Sequence, residues 1–195
     1  MSFGPVFDEA VRRFDEENSR DPNVVTVAGA PQPYELIYSQ WVTDWVLRLN
    51  SSPSEALLLA ARCQHICRWL IPRKSYPMTR AGYLQWRTEL KQFHAQKSAK
   101  ILRDVGYGED IVSRVEELNL KKDLAHDPEC QVLEDALCLV ALQHQLSDLT
   151  DKTEPEKMVS ILQKTWKKMS PTARDQALTL QFSAREKELL QQALA

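Results

Sequence analysis

The run Glu55-Ala56-Leu57-Leu58-Leu59-Ala60-Ala61-Arg62-Cys63-Gln64-His65-Ile66-Cys67-Arg68-Trp69-Leu70-Ile71, stopped by Pro72, decides the fold class. Leu58, Ala61 and Trp69 recur at helical spacing, and Ser51-Ser52-Pro53-Ser54 supplies a break and a start signal before them. The same period extends in both directions. Upstream, Tyr38, Val42, Trp45 and Leu49 stand at i, i+4, i+7 and i+11 of a helix over Glu35 to Asn50, and Pro5 to Asn18 is amphipathic. Downstream, a loop over Pro72 to Pro77 leads to a long helix from Thr79 to Val105 that Gly106 ends. Gly108 to Leu120 is a shorter helix, Cys130 to Asp148 carries an apolar stripe behind a first-turn Pro128, and Pro155 and Pro171 open two final helices. Asp21 to Pro33 reads as a turn-rich loop. The expectation is one all-α domain over residues 1–195, with a core at about 35–150, C-terminal helices at 155–195 and no sheet of three or more strands.

Composition sets the function classes. The 195 residues include 25 Lys and Arg, 27 Asp and Glu, 43% hydrophobic residues and only 5 Gly, enough for a real core but not for a glycine-built phosphate loop. No apolar run approaches the roughly 18 to 20 residues that span a bilayer, and Met1 to Ala10 shows no signal-peptide pattern, which predicts a cytoplasmic or nuclear setting. Cys63, Cys67, Cys130 and Cys138 then read as reduced thiols. The charge is uneven: Arg62 to Arg103 holds ten basic residues and one acidic one, net +9, while the remaining 15 basic and 26 acidic residues give −11. A local basic segment on an acidic body points to a small anionic or phosphorylated ligand rather than to duplex nucleic acid.

Four polar side chains occupy positions where apolar ones are called for. His65 shares the face of Leu58, Ala61 and Trp69; His94 falls between Leu90 and Ile101; Asp135 lies in the series Val132, Leu139, Leu142, Leu146; and Glu35 precedes Tyr38 and Val42. Inward charges are costly unless paired or ligating, so these four are expected to meet, and a mixed Glu35, His65, His94, Asp135 set suits a divalent metal: Zn, Fe, Mn or Mg. Glu134 is the candidate general base or the group that orients it. In the basic segment, Arg68, Arg73, Arg80 and Arg87 interleave with Trp69, Tyr76, Tyr83 and Trp86, offering guanidinium forks for phosphate and flat faces for a base.

Two resemblances add to this reading. Leu57 to Arg68, then Phe93-His94-Ala95 with Ala99, Ile101-Leu102 and Gly106-Tyr107, then Leu133 to Leu139 resemble, in order, the motif helices of HD-domain metal-dependent phosphohydrolases. Ile66 replaces the motif aspartate, the first histidine would fall near Tyr38, and Lys121-Lys122 falls where many members carry a His pair. That resemblance implies an HD-like helical bundle, a resident divalent metal, phosphoester hydrolysis and a substrate contact at Lys121. Arg68-Trp69, Pro72-Arg73, Tyr76-Pro77, Gly82-Tyr83-Leu84, Trp86-Arg87 and Leu133-Glu134-Asp135 are also similar to a family catalogued as a domain of unknown function, some members of which are labelled glutamyl-tRNA synthetase. Lys168-Met169-Ser170 resembles a synthetase signature fragment, but a synthetase catalytic domain needs a parallel sheet and a longer chain. Taken together, the sequence predicts hydrolysis of a small nucleotide-like phosphoester; the alternatives are a diiron HD-type oxygenase and a non-catalytic nucleotide-sensing or interaction module.

Overall fold

The structure is a computed structural model that describes residues 3–194; Met1, Ser2 and Ala195, the outermost residues of the span assigned to the domain, lie outside the described residues. The chain runs α1 (Pro5–Asn18), β1 (Val24–Val27), β2 (Ala30–Pro33), α2 (Tyr34–Leu49), α3 (Glu55–Cys63), α4 (Arg80–Asp104), α5 (Glu109–Leu120) and α6 (Pro128–Val140), followed by one turn of π-helix (Ala141–Gln145), α7 (Leu146–Lys152), α8 (Pro155–Lys168), α9 (Pro171–Leu178) and α10 (Ala184–Leu194). Among the described residues the sheet content is one two-stranded hairpin, so the fold is all-α, and no helix is long and apolar enough to cross a membrane.

α3 sits at the centre because it is apolar all round. Ala56 to Ala61 are all buried, and the helix packs on α1, α2, α5 and α6. Ser54 caps it by accepting from the Leu57 N–H at 3.1 Å, and Arg62 donates two 2.6 Å bonds to Asp15, clamping it to α1. α4 lies along α5 through Leu90, His94, Ser98 and Leu102, a buried i, i+4 row, and starts against its own loop. A Cβ at Gly82 would stand 2.3 Å from the Pro77 carbonyl oxygen, so only glycine fits there. Gly106, at φ +99, ends the α4 region, and Asp127 caps α6 by accepting from the Glu129 and Cys130 N–H groups, as the sequence predicts.

Three local expectations are corrected. The Glu55 helix stops at Cys63 instead of Ile71: the Ile66 N–H turns back to the Cys63 carbonyl, and Cys67 adopts a left-handed φ of 53° while its N–H donates to Asn18 Oδ1 at 3.0 Å. Asp21 to Pro33 is no irregular loop. Val24-Val25-Thr26-Val27 pairs antiparallel with Ala30-Pro31-Gln32-Pro33 around Ala28-Gly29, both at positive φ, the geometry of a two-residue hairpin turn. The C-terminal region holds three helices after Pro155, because Ser183 and Glu186 form a reciprocal cap, Glu186 N–H to Ser183 Oγ and Ser183 N–H to Glu186 Oε2, that starts α10 after a break. A single cluster of buried side chains runs from Ala10 through α3 to Leu189.

Replacing Asn18 by Ala should remove the partner of the buried Cys67 N–H and lower stability by about 1–3 kcal/mol. Urea unfolding of the variant measures this; a change within about 0.5 kcal/mol, the range of ordinary surface substitutions, would show that the turn holds without it.

Candidate functional site

The early end of α3 and the hairpin act on one place. After Cys63 the chain carries Gln64, His65 and Arg68 out of helical register, while the hairpin returns the chain to start α2 beside Asp21, whose Oδ2 accepts from the Glu35 N–H at 3.0 Å. Between these segments, α4, α6 and α8 enclose a cavity of about 350 Å³. Glu35, Tyr38, Gln64, His65 and His94 line one part of it; Arg87, Lys91, Lys121, Glu134 and Lys168 line another.

The first group is nearly dry. Tyr38 stacks on His65 with ring centroids 4.3 Å apart and planes 12° apart. Arg68 approaches His65 Nε2 with Nη1 at 3.5 Å, and because guanidinium only donates, that nitrogen is the acceptor and Nδ1 carries the proton, 3.6 Å from Glu35 Oε2. His94 Nδ1 lies 2.8 Å from the Ile66 carbonyl, which fixes Nδ1 as the donor and leaves Nε2 as a bare acceptor. Burial pushes the Glu35 carboxyl up to about 8, against the pull of Arg68, with Asp21 adding to the rise. Burial, reinforced by Arg68, holds His65 well below its ordinary value, and burial brings His94 down to about 4. At neutral pH the floor is therefore uncharged.

The second group is crowded with like charge. Glu134 resists the upward push of burial and stays below the usual carboxylate range because Lys121 and Lys168 both reach it, Lys168 at 3.3 Å. Arg87 and Lys91 have no carboxylate within salt-bridge distance among the described residues. Burial, together with Lys121 and Arg87, depresses the Lys91 ammonium. Arg87, Lys91 and His94 stand at i, i+4 and i+7 of α4, a spacing from which Lys91 could have been found; Lys168, at the end of α8, carried no such signal. The π-turn completes the wall with Ala141 and Gln145, and Gln145 donates to the Tyr34 hydroxyl at 2.7 Å.

Of the expected site residues, the structure brings Glu35, His65, Arg68, Arg87, His94, Lys121 and Glu134 to this cavity. The others are elsewhere. Asp135 is one helix position past the cavity and is spent on structure, accepting from Gln131 Nε2 at 2.9 Å and from the Ser170 N–H at 2.8 Å, where α9 begins. Arg73 folds onto its own loop, donating to the Tyr76 and Pro77 carbonyls at 3.0 and 2.8 Å. Tyr76 donates its hydroxyl to Glu89, Arg80 and Tyr83 are exposed, and Trp69 packs on the core. Trp86 is buried, its Nε1–H donating to the Ile71 carbonyl at 2.9 Å under the Arg68 guanidinium. The expected convergence of four arginines thus reduces to two, because the Pro72 to Pro77 carbonyls satisfy Arg73 first. Glu134, with a lysine at each oxygen, positions those lysines and is not a free base.

The divalent metal implied by the HD resemblance does not find its four ligands. Asp135 is turned away, Ile66 is fully buried, and among the described residues no three His, Cys, Asp or Glu side chains are placed to hold an ion. A family model described as Domain of unknown function (DUF4202) matches residues 8–190. The chain belongs to this family. No curated protein and no solved structure matches it. The DUF4202 match spans every element that lines the cavity, from Tyr34 to Lys168.

Because the folded DUF4202 chain keeps a proton on Glu35 that the unfolded chain releases above about 4.5, Glu35 costs stability as pH rises from about 4.5 to about 8. His65 and His94 act in the other direction, costing stability as pH falls below 6.5. Glu35→Gln should therefore gain on wild type as pH rises, by up to about 1.4 kcal/mol per unit. Denaturant unfolding at several pH values reads the difference; parallel curves for the two proteins would place a charged carboxylate in the fold.

Proposed function

We propose that this DUF4202 chain binds a small phosphorylated molecule in the cavity between α2, α4, α6 and α8. The observation that carries this reading is the pair Arg87 and Lys91, two half-buried cations left without a carboxylate beside a third, Lys121. Five cationic side chains, Arg68, Arg87, Lys91, Lys121 and Lys168, face a cavity in which Glu134 is the one carboxylate ionised at neutral pH. Such an excess, half removed from water, is offset by a bound anion, and phosphate oxygens accept from both guanidinium and ammonium. The basic segment that stands out in the sequence thus contributes Arg68, Arg87 and Lys91 to the cavity, while its Arg73 holds the loop.

A second reading, metal-dependent phosphoester hydrolysis of the HD type, is favoured by one observation: Glu35 Oε2 and His94 Nε2 are buried beside His65 without hydrogen-bond partners among the described residues. Phosphate release from phosphomonoesters, assayed with and without Mg²⁺, Mn²⁺, Zn²⁺ or Fe²⁺, separates the two. On the binding reading there is no metal-activated turnover, and affinity survives chelation. Turnover that needs metal and disappears in His65→Ala would assign catalysis instead.

Binding of inorganic phosphate and methyl phosphate, measured by calorimetry, should weaken about tenfold or more in Lys91→Ala and Lys121→Ala, as expected for loss of a charge-assisted hydrogen bond worth roughly 1.5–3 kcal/mol. Arg73→Lys, at a residue that does not line the cavity, should match wild type. Equal affinities in all four proteins would remove the anion site.

A further inference from the structure

The cavity has a part that phosphate cannot use. Gln64 Oε1, His94 Nε2 and Glu35 Oε2 are each buried with no hydrogen-bond partner among the described residues, in residues no more than 6% exposed, and all three residues line the cavity. A buried polar atom without a partner is expensive, so three together call for a complement. Their chemistry says which. Gln64 Oε1 is a carbonyl oxygen, His94 Nε2 is an acceptor because Nδ1 serves the Ile66 carbonyl, and Glu35 Oε2, which faces the His65 Nδ1–H at 3.6 Å, is the carboxyl oxygen that does not carry the proton. Three acceptors in residues that line one cavity repel phosphate oxygens and attract hydroxyl hydrogens.

The aromatic groups argue about the rest of the molecule. The rings expected to stack a base, Trp69, Tyr76, Tyr83 and Trp86, do not line the cavity, and the face that Tyr38 turns to its neighbours is covered by His65 at 4.3 Å. The other tyrosine that lines the cavity, Tyr34, is half-buried between Tyr38 and Trp41 and accepts from Gln145 at its hydroxyl, so a flat base would have that single ring to stack on, whereas a compact hydroxylated body would reach the acceptors without one.

We propose that the ligand is a phosphorylated polyol or sugar, its phosphate held by Arg87, Lys91 and Lys121 and its hydroxyls donating to Gln64, His94 and Glu35. This rests on the phosphate-binding reading above and adds the class of the body attached to the phosphate. Ligand hydroxyls supply the donors that those acceptors lack.

The test compares the intact wild-type chain with inorganic phosphate, methyl phosphate, glycerol 3-phosphate, ribose 5-phosphate and adenosine 5′-monophosphate by calorimetry. Affinity should rise with hydroxyl number, ribose 5-phosphate binding at least tenfold tighter than methyl phosphate, and the nucleotide should be no tighter than ribose 5-phosphate. Gln64→Met, close in volume but without the acceptor, should shrink the ribose 5-phosphate advantage severalfold and leave inorganic phosphate affinity unchanged, which also reports that the variant is folded. The ligand series stands on wild type alone should the variant fail to fold. Equal binding of methyl phosphate and ribose 5-phosphate, or a nucleotide preference, overturns the proposal while the phosphate site stands. No binding of any phosphate overturns both.

Discussion

One hydrogen bond, from the Cys67 N–H to Asn18 Oδ1, sets where the central helix must stop. Without a partner for that N–H, the apolar run from Leu57 to Ile71 has every local reason to continue as helix, and His65 and Arg68 would remain on a core-facing stripe. With it, Cys67 takes a left-handed conformation, uncommon for a residue with a side chain and costing about 1 kcal/mol or more, and the chain leaves the helix axis. His65 then lands on the face of Tyr38 and the Ile66 carbonyl is free for His94. The end of α1 thus sets the geometry of a cavity formed by other helices.

The cavity divides by charge in a way that follows from burial. Its floor is held neutral: a carboxyl and two imidazoles, each pushed toward its uncharged form by removal from water. Its wall differs, because guanidinium does not lose its proton and Lys121 is ion-paired with Glu134. Glu134 neutralises part of the wall and locates Lys121 and Lys168, but leaves Arg87 and Lys91 unanswered. A ligand with one charged end and one polar, uncharged end matches both halves.

Helical periodicity made the fold readable: the start signals at Ser54 and Thr79, first-turn prolines at Pro128, Pro155 and Pro171, and the Gly106 stop all appear in the structure at or within about a residue of where local chemistry puts them. What failed was tertiary. The α3 stop depends on Asn18, 49 residues away, and no window around Cys67 contains it. The hairpin did have a local signal, the β-branched Val24 to Val27 beside Ala28-Gly29, masked by two prolines in the edge strand. For the site, inward position correctly singled out buried Glu35, His94 and Asp135 but not what each would meet, since Asp135 was claimed by a backbone N–H at the start of α9. The arginines failed for the same reason: a guanidinium with loop carbonyls in reach is satisfied before any ligand arrives.

The π-turn from Ala141 to Gln145 joins two helices that share one direction of travel, and it holds one residue more than an α-turn would need. Each residue of an α-helix rotates the chain by about 100°. Deleting a single residue here would restore a regular helix and swing all that follows by that angle, carrying Leu146 out of the core and Gln145 off the Tyr34 hydroxyl. Chain length across this turn is therefore as constrained as residue identity: a substitution at Gln143 costs the bond it accepts from the Trp45 Nε1–H, and one at His144 the stacking on Trp41, whereas an insertion or deletion displaces every contact beyond the turn.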